Sequence, residues 1–140
     1  MNFFKSIKSV LIVFAFLAST TWAQEFVIIV NPSNGASKIS KAELKRIFNG
    51  RMKSWSGGKV VPINQMYTSP LTGKFIKAST GMSVDEYKTY WVQQQIKGKG
   101  TQPMLQKSDT AVKLMVASIP GAIGYITKGS EDATVKVIGN

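Results

Sequence analysis

The sequence predicts an α/β domain with a largely parallel sheet of about four strands flanked by helices. Three observations carry this. Continuous apolar runs, the mark of strands covered on both faces, alternate with segments of helical periodicity. The helical segments open on capping residues and close on glycine or proline. Removing residues 1–23 from the 140 leaves 117, the usual size of one domain.

The first segment carries Lys5 and Lys8, an apolar run from Val10 to Ala18, and small residues at Thr21 and Ala23. That order predicts a secretory signal cleaved after Ala23. The run is about half of the ~20 residues needed to span a bilayer, so no permanent membrane anchor is expected. There is no cysteine to carry a lipid. A periplasmic product is therefore expected.

Phe26–Val30 is apolar throughout and stops at Asn31 and Pro32, which reads as a buried strand. Ser40 and Glu43 form a capping-box pattern ahead of Leu44, Ile47 and Phe48, and Gly50 closes that helix. Lys59–Ile63 is the second strand, with Pro62 marking its end or an edge position. Ser69 and Pro70 start a helix that carries Leu71, Phe75 and Ile76 on one face.

Ser83 and Glu86 form another capping box, opening a helix in which Val84, Tyr87 and Trp91 share a face and which ends before Gly98 and Gly100. Ser108 or Asp109 caps a further helix with the stripe Val112, Met115, Val116 and Ile119, broken by Pro120 and Gly121. Ala122–Ile126 and Thr134–Ile138 are the remaining strands. Residues 31–39, 49–58 and 99–107 are the longest expected loops.

Composition excludes several chemistries. With neither Cys nor His, thiol catalysis, thiolate zinc sites, haem attachment and the commonest general base are gone. No nucleophile, base and orienting group can be assembled, so no enzyme activity and no cofactor are expected. Cleavage would take the formal net charge from +11 to +9, which favours anionic partners of every kind. Nucleic acid is not expected among them, because no stripe of basic residues interleaved with aromatics is present.

The segments Ile47-Phe48-Asn49-Gly50, Trp55, Val60-Val61-Pro62-Ile63-Asn64-Gln65, Glu86-Tyr87, Trp91, Gly98-Lys99-Gly100, Pro103 and Pro120-Gly121-Ala122-Ile123-Gly124-Tyr125 occur in that order. In this arrangement the chain resembles the phosphate ABC-transporter solute-binding protein family, in particular its short single-lobe relatives. The resemblance implies one lobe of the type II periplasmic-binding-protein fold. It further implies a phosphate or similar oxyanion as ligand and an ABC permease as partner.

It also implies a site at the end of the second strand, where phosphate-binding members carry an arginine followed by a Ser-Gly-Thr run at a helix N-terminus. Here the stretch is Gln65-Met66-Tyr67-Thr68-Ser69-Pro70-Leu71-Thr72. Ser69 stands where the family serine stands, and Thr72 follows less firmly. Gln65 replaces the arginine, and Pro70 has no N–H to donate. One charge-assisted contact and one backbone donor are missing, so the implied site is weakened.

Independently of the resemblance, a helix starting near Ser69 offers unpaired N–H groups and a positive dipole end, with Thr72 and Lys74 in its first turn. Ser69 can equally serve only as the cap. Tyr67, in the loop just before, is a further candidate contact.

Other motifs have plainer readings. Ser56-Gly57-Gly58-Lys59 has Ser-x-x-Lys spacing, but two glycines call for a turn rather than the helix that chemistry needs. Gly98-Lys99-Gly100 lacks the Walker ending and stops a helix. Asp85 and Glu86 are adjacent on a helix, point about 100° apart, and favour its dipole. Tyr87 and Trp91 lie one turn apart and fill the core, whereas Trp55 and Tyr90 could belong to a ligand platform. Two functional readings remain: a module that binds an oxyanion or acidic group, and an envelope interaction or assembly protein that kept the lobe and lost the ligand.

Overall fold

The computed structural model describes residues 25–140; the expected signal peptide lies outside the described residues. In chain order the elements are β1 (Phe26–Val30), α1 (Lys41–Phe48), β2 (Ser54–Trp55), β3 (Gly58–Lys59), β4 (Val61–Gln65), α2 (Pro70–Thr80), α3 (Val84–Ile96), β5 (Met104–Gln106), α4 (Asp109–Ser118), β6 (Ala122–Thr127) and β7 (Lys136–Ile138). Ser40, Ser83 and Ser108 each accept a hydrogen bond from the backbone N–H three residues on, and Ser83 with Glu86 completes a capping box.

Five strands form one sheet in the order β5-β4-β6-β1-β7, one more than expected, and β2-β3 form a separate hairpin. The extra strand β5 lies in the stretch expected as a loop over 99–107, and most of the hairpin lies in the one expected over 49–58. β4 is parallel to β5 and β6, while β1 is antiparallel to both β6 and β7. Four of the five strands therefore point one way, and β1 runs against them. Its continuous apolarity correctly reports cover on both faces, but burial on two faces does not require parallel neighbours.

Pro62 sits inside β4 at a place where the sheet tolerates it. It pairs with Ile123 of β6, and the ladder to β5 begins only at Ile63, so its missing N–H breaks no bond on that side.

Side-chain alternation sorts the interior into two layers. Phe26, Ile28, Val30, Ile123 and Tyr125 face α1, α2 and α3, meeting Leu44, Phe48, Phe75, Ile76, Tyr87 and Trp91. Ile29, Ile63, Ala122 and Ile126 face the other way, against Val112 and Val116 of α4. Phe75 stacks on Tyr125 with centroids 3.8 Å apart. Gly121 is needed for a close approach, since a Cβ there would lie 2.0 Å from the Lys59 carbonyl oxygen.

From β4 the chain passes through α2 and α3 to β5 on one side, then through α4 to β6 on the other. The order thus reverses at the carboxyl end of β4. In open α/β sheets that reversal leaves a crevice flanked by helix N-termini, the usual place for a ligand.

Candidate functional site

Two helices start at this crevice, α2 after β4 and α4 after β5. Ser69 is the N-cap of α2, yet its hydroxyl makes no capping hydrogen bond, unlike the cap serines of the other three helices. The turn is held by backbone instead: Ser69 N–H donates to Met66 O at 3.0 Å and Thr72 N–H to Ser69 O at 3.1 Å. Pro70 fills the first helical position, where a missing N–H costs nothing. The half-buried Ser69 hydroxyl is left uncommitted among the described residues.

The other expected site residues gather at the same end of β4 and α2, but their polar groups are engaged within the chain. Gln65 is buried, and its Nε2 donates to Asp109 Oδ1 at 2.8 Å and to Tyr125 O at 3.1 Å. Thr72 is fully buried and donates to Met66 O at 2.8 Å. The Tyr67 hydroxyl donates to Gln102 Oε1 at 2.8 Å, its ring lies 6.2 Å from that of Tyr87, and Lys88 Nζ sits 5.9 Å over it. Burial raises the Tyr67 pKa. Lys74 is exposed and forms an ion pair with Glu25.

Three residues of the crevice escape a reading of the sequence. Asn64 is fully buried; its Oδ1 accepts from Gln65 N–H at 2.8 Å and from the Tyr125 hydroxyl, while its Nδ2 has no partner among the described residues. Burial pushes the Tyr125 phenol up to about 12, so it stays a donor. Asp109 opens α4 with a carboxylate that accepts from Gln65, from Thr127 N–H at 3.2 Å and from Ser130 Oγ at 3.4 Å. Burial opposes its ionisation, but the hydrogen bonds from Thr127, Gln65 and Ser130 outweigh it and hold the carboxyl below the usual aspartate range. A polar pair closing an apolar strand, Asn64-Gln65, is the one signal that could have drawn attention to this cluster.

The crevice therefore holds an anion already, the Asp109 carboxylate, set against the Gln65 side-chain amide. Uncommitted donors remain at Ser69 and Asn64. Among the described residues, no group of three or more His, Cys, Asp and Glu side chains could hold a metal ion. No helix among them is long and apolar enough to cross a membrane.

Residues 10–138 match the family model described as a PBP superfamily domain. The chain belongs to this family. It is 32% identical over 105 residues to the phosphate-binding protein PstS of Bacillus subtilis (strain 168), an alignment covering 69% of this chain and 29% of that protein. An ABC-type phosphate transport receptor from Vibrio cholerae superposes with a TM-score of 0.59 at 20% identity, over 81% of this chain and 45% of that one. PstS from Borrelia burgdorferi gives a TM-score of 0.59 at 18% identity, over 82% of this chain and 46% of that one.

At those identities the two structures establish the periplasmic-binding-protein fold. The chain spans less than half the length of each relative. Their names are those of binding proteins and transport receptors.

Proposed function

We propose that this chain is an exported, periplasmic lobe that binds phosphate or a closely similar oxyanion where α2 begins, in association with an ABC permease. The observation that carries the reading is the Ser69 hydroxyl. It occupies a helix N-cap at the point where strand order reverses, in a family member whose curated relative is a phosphate-binding protein, and it has no capping duty. A helix N-terminus supplies N–H donors and a positive dipole end for the bound charge.

Affinity should be modest. The cationic side chain expected of phosphate-binding members is absent at Gln65, and Asp109 places a like charge close by. Lys74 keeps its own carboxylate partner in Glu25. The remaining attraction comes from Ser69, the first-turn N–H groups and the basic surface.

Thermal shift and isothermal calorimetry with phosphate and sulfate test this. Saturable binding is expected, worth about 2.7 kcal/mol of added stability at a hundredfold excess over Kd. Ser69→Ala should abolish it, and retained binding in that variant would remove the site.

The engagement of Gln65, Thr72 and Asp109 favours one further reading, an envelope interaction or assembly protein in which the chain's own groups have closed the ligand site. That reading expects no response to either anion beyond a general salt effect.

A further inference from the structure

The chain holds two Asn-Gly pairs, Asn34-Gly35 and Asn49-Gly50. In such a pair the glycine nitrogen can attack the asparagine Cγ, because no Cβ on the following residue shields it. The fold treats the two pairs differently, and it prepares only the first to react.

Asn34 is half-buried in the loop between β1 and α1, and Gly35 beside it is exposed. The Asn34 Oδ1 accepts from Ala36 N–H at 2.9 Å and from the Ser56 hydroxyl, in the turn of the β2-β3 hairpin, at 2.8 Å. The first of these bonds closes an Asx turn, a ring that contains both Cγ of Asn34 and the nitrogen of Gly35 and curls one back toward the other. Together the two donors draw electron density from Cγ and stand ready for the negative charge its oxygen takes up on attack.

The nucleophile is prepared as well. Asn34 O belongs to the same peptide as the Gly35 nitrogen, and it accepts from Lys136 Nζ at 2.8 Å. A cation there favours the deprotonated form of that peptide, so the Gly35 N–H becomes more acidic. That N–H donates to no acceptor among the described residues. Nothing lies within 4 Å of where a Gly35 Cβ would stand, so water reaches the turn.

Asn49-Gly50 lacks these features. Asn49 is 5% exposed, and its Oδ1 has no partner among the described residues. The Gly50 N–H donates to Ile47 O at 3.1 Å, a bond that attack would have to break.

We propose that Asn34 is a site of spontaneous backbone rearrangement with water as the co-reactant. The deprotonated Gly35 nitrogen bonds to Cγ, the Cγ–Nδ2 bond breaks, and ammonia leaves with a proton from water, giving a cyclic imide. Water then adds to the ring carbonyl that Lys136 polarises, the former Asn34 main-chain carbonyl, and its bond to nitrogen opens. The product is isoaspartate: the chain now runs through Cγ, and the freed α-carboxylate pairs with Lys136. Amide and water have become carboxylate and ammonium, so the turn that ties the loop to the hairpin gains a negative charge. The site is independent of Ser69 and of any anion bound there.

The test incubates the whole protein at mildly alkaline pH and follows both pairs by peptide mapping, with electron-transfer fragmentation to separate isoaspartate from aspartate. The same chain in guanidinium chloride gives the rates without structure. Asn34 should react faster folded than unfolded, whereas folding should slow Asn49 about tenfold or more, because its peptide must first open. Ser56→Gly, which suits the φ of +55° at that position, and Lys136→Met should each slow Asn34 about fivefold, the rate equivalent of one net hydrogen bond. Lys136→Met should also move the products from isoaspartate toward the ratio found in the unfolded chain. A rate set by loop mobility alone would hold or rise in both variants. Asn34 slower folded than unfolded, an unchanged rate in either variant, or Asn49 as fast as Asn34 in the folded protein would each overturn the proposal.

Discussion

The crevice and the Asn34 turn use polar partners in opposite ways. In the crevice Gln65 is answered by Asp109, Lys74 by Glu25 and Thr72 by a backbone carbonyl. At the turn Lys136, Ser56 and the Ala36 N–H gather on the two Asn34 oxygens and leave the Gly35 nitrogen uncommitted among the described residues. The crevice has the topology of a ligand site and has filled most of it from within. The turn has no special topology and leaves its nucleophile open. Fold position alone thus does not locate chemical capacity; the bookkeeping of polar partners does.

The largest effect should come from the contact that holds the β2-β3 hairpin, and with it Ser56, to the sheet. Gly121→Ala would drive a Cβ against the Lys59 backbone and is expected to cost about 3 kcal/mol in chemical denaturation, the upper range for overpacking. A cost near zero would show that the hairpin is looser than its geometry implies.

Asp109→Ala breaks the comparison from the other side. It strips the Gln65 amide and Thr127 N–H of their shared acceptor, for an expected loss of about 1–2 kcal/mol on this half-exposed site. Removing the like charge should also tighten phosphate binding at the crevice. Unchanged phosphate affinity in calorimetry would show that Asp109 does not compete with the ligand.

The same carboxylate predicts a pH dependence. The folded pKa of Asp109 lies below its ordinary value of 3.8, and that of exposed Asp132 lies at about 2 because of hydrogen bonds from Thr134 and Lys113. In that window the unfolded chain binds more protons, so stability is retained above pH 3.8 and lost as the pH falls toward 2. Asp109→Asn should flatten the decline, as followed by urea midpoints across the range.

Smaller still is the contrast between two serines. Ser83→Ala should cost about 1 kcal/mol, because that hydroxyl caps α3. Ser69→Ala should stay within about 0.5 kcal/mol, because that hydroxyl caps nothing. Equal losses in thermal denaturation would mean that Ser69 does serve its helix.

Much of the fold was legible because its signals are local. β1 matches its apolar run residue for residue, and α1, α3 and α4 start where Ser40, Ser83 and Ser108 announce them. β5 was not, because three residues with an exposed Met104 carry no periodicity; they form a strand only where Ile63, Asn64 and Gln65 offer a ladder. Ser69 and Pro70 were legible as the start of α2, which lies beside the crevice. The closure of the crevice was not, since Gln65 and Asp109 stand 44 residues apart.

By itself, then, the sequence determined the alternation of strands and helices, the helix starts, the absence of thiol and imidazole chemistry and the excess of positive charge. These follow from neighbours within a few positions or from composition. Tertiary structure alone decided that β1 runs against its sheet, that Asp109 meets Gln65, and that Ser56 and Lys136 meet Asn34. Each depends on which distant segments come together, and hydrogen bonding and charge act through distance in space rather than along the chain.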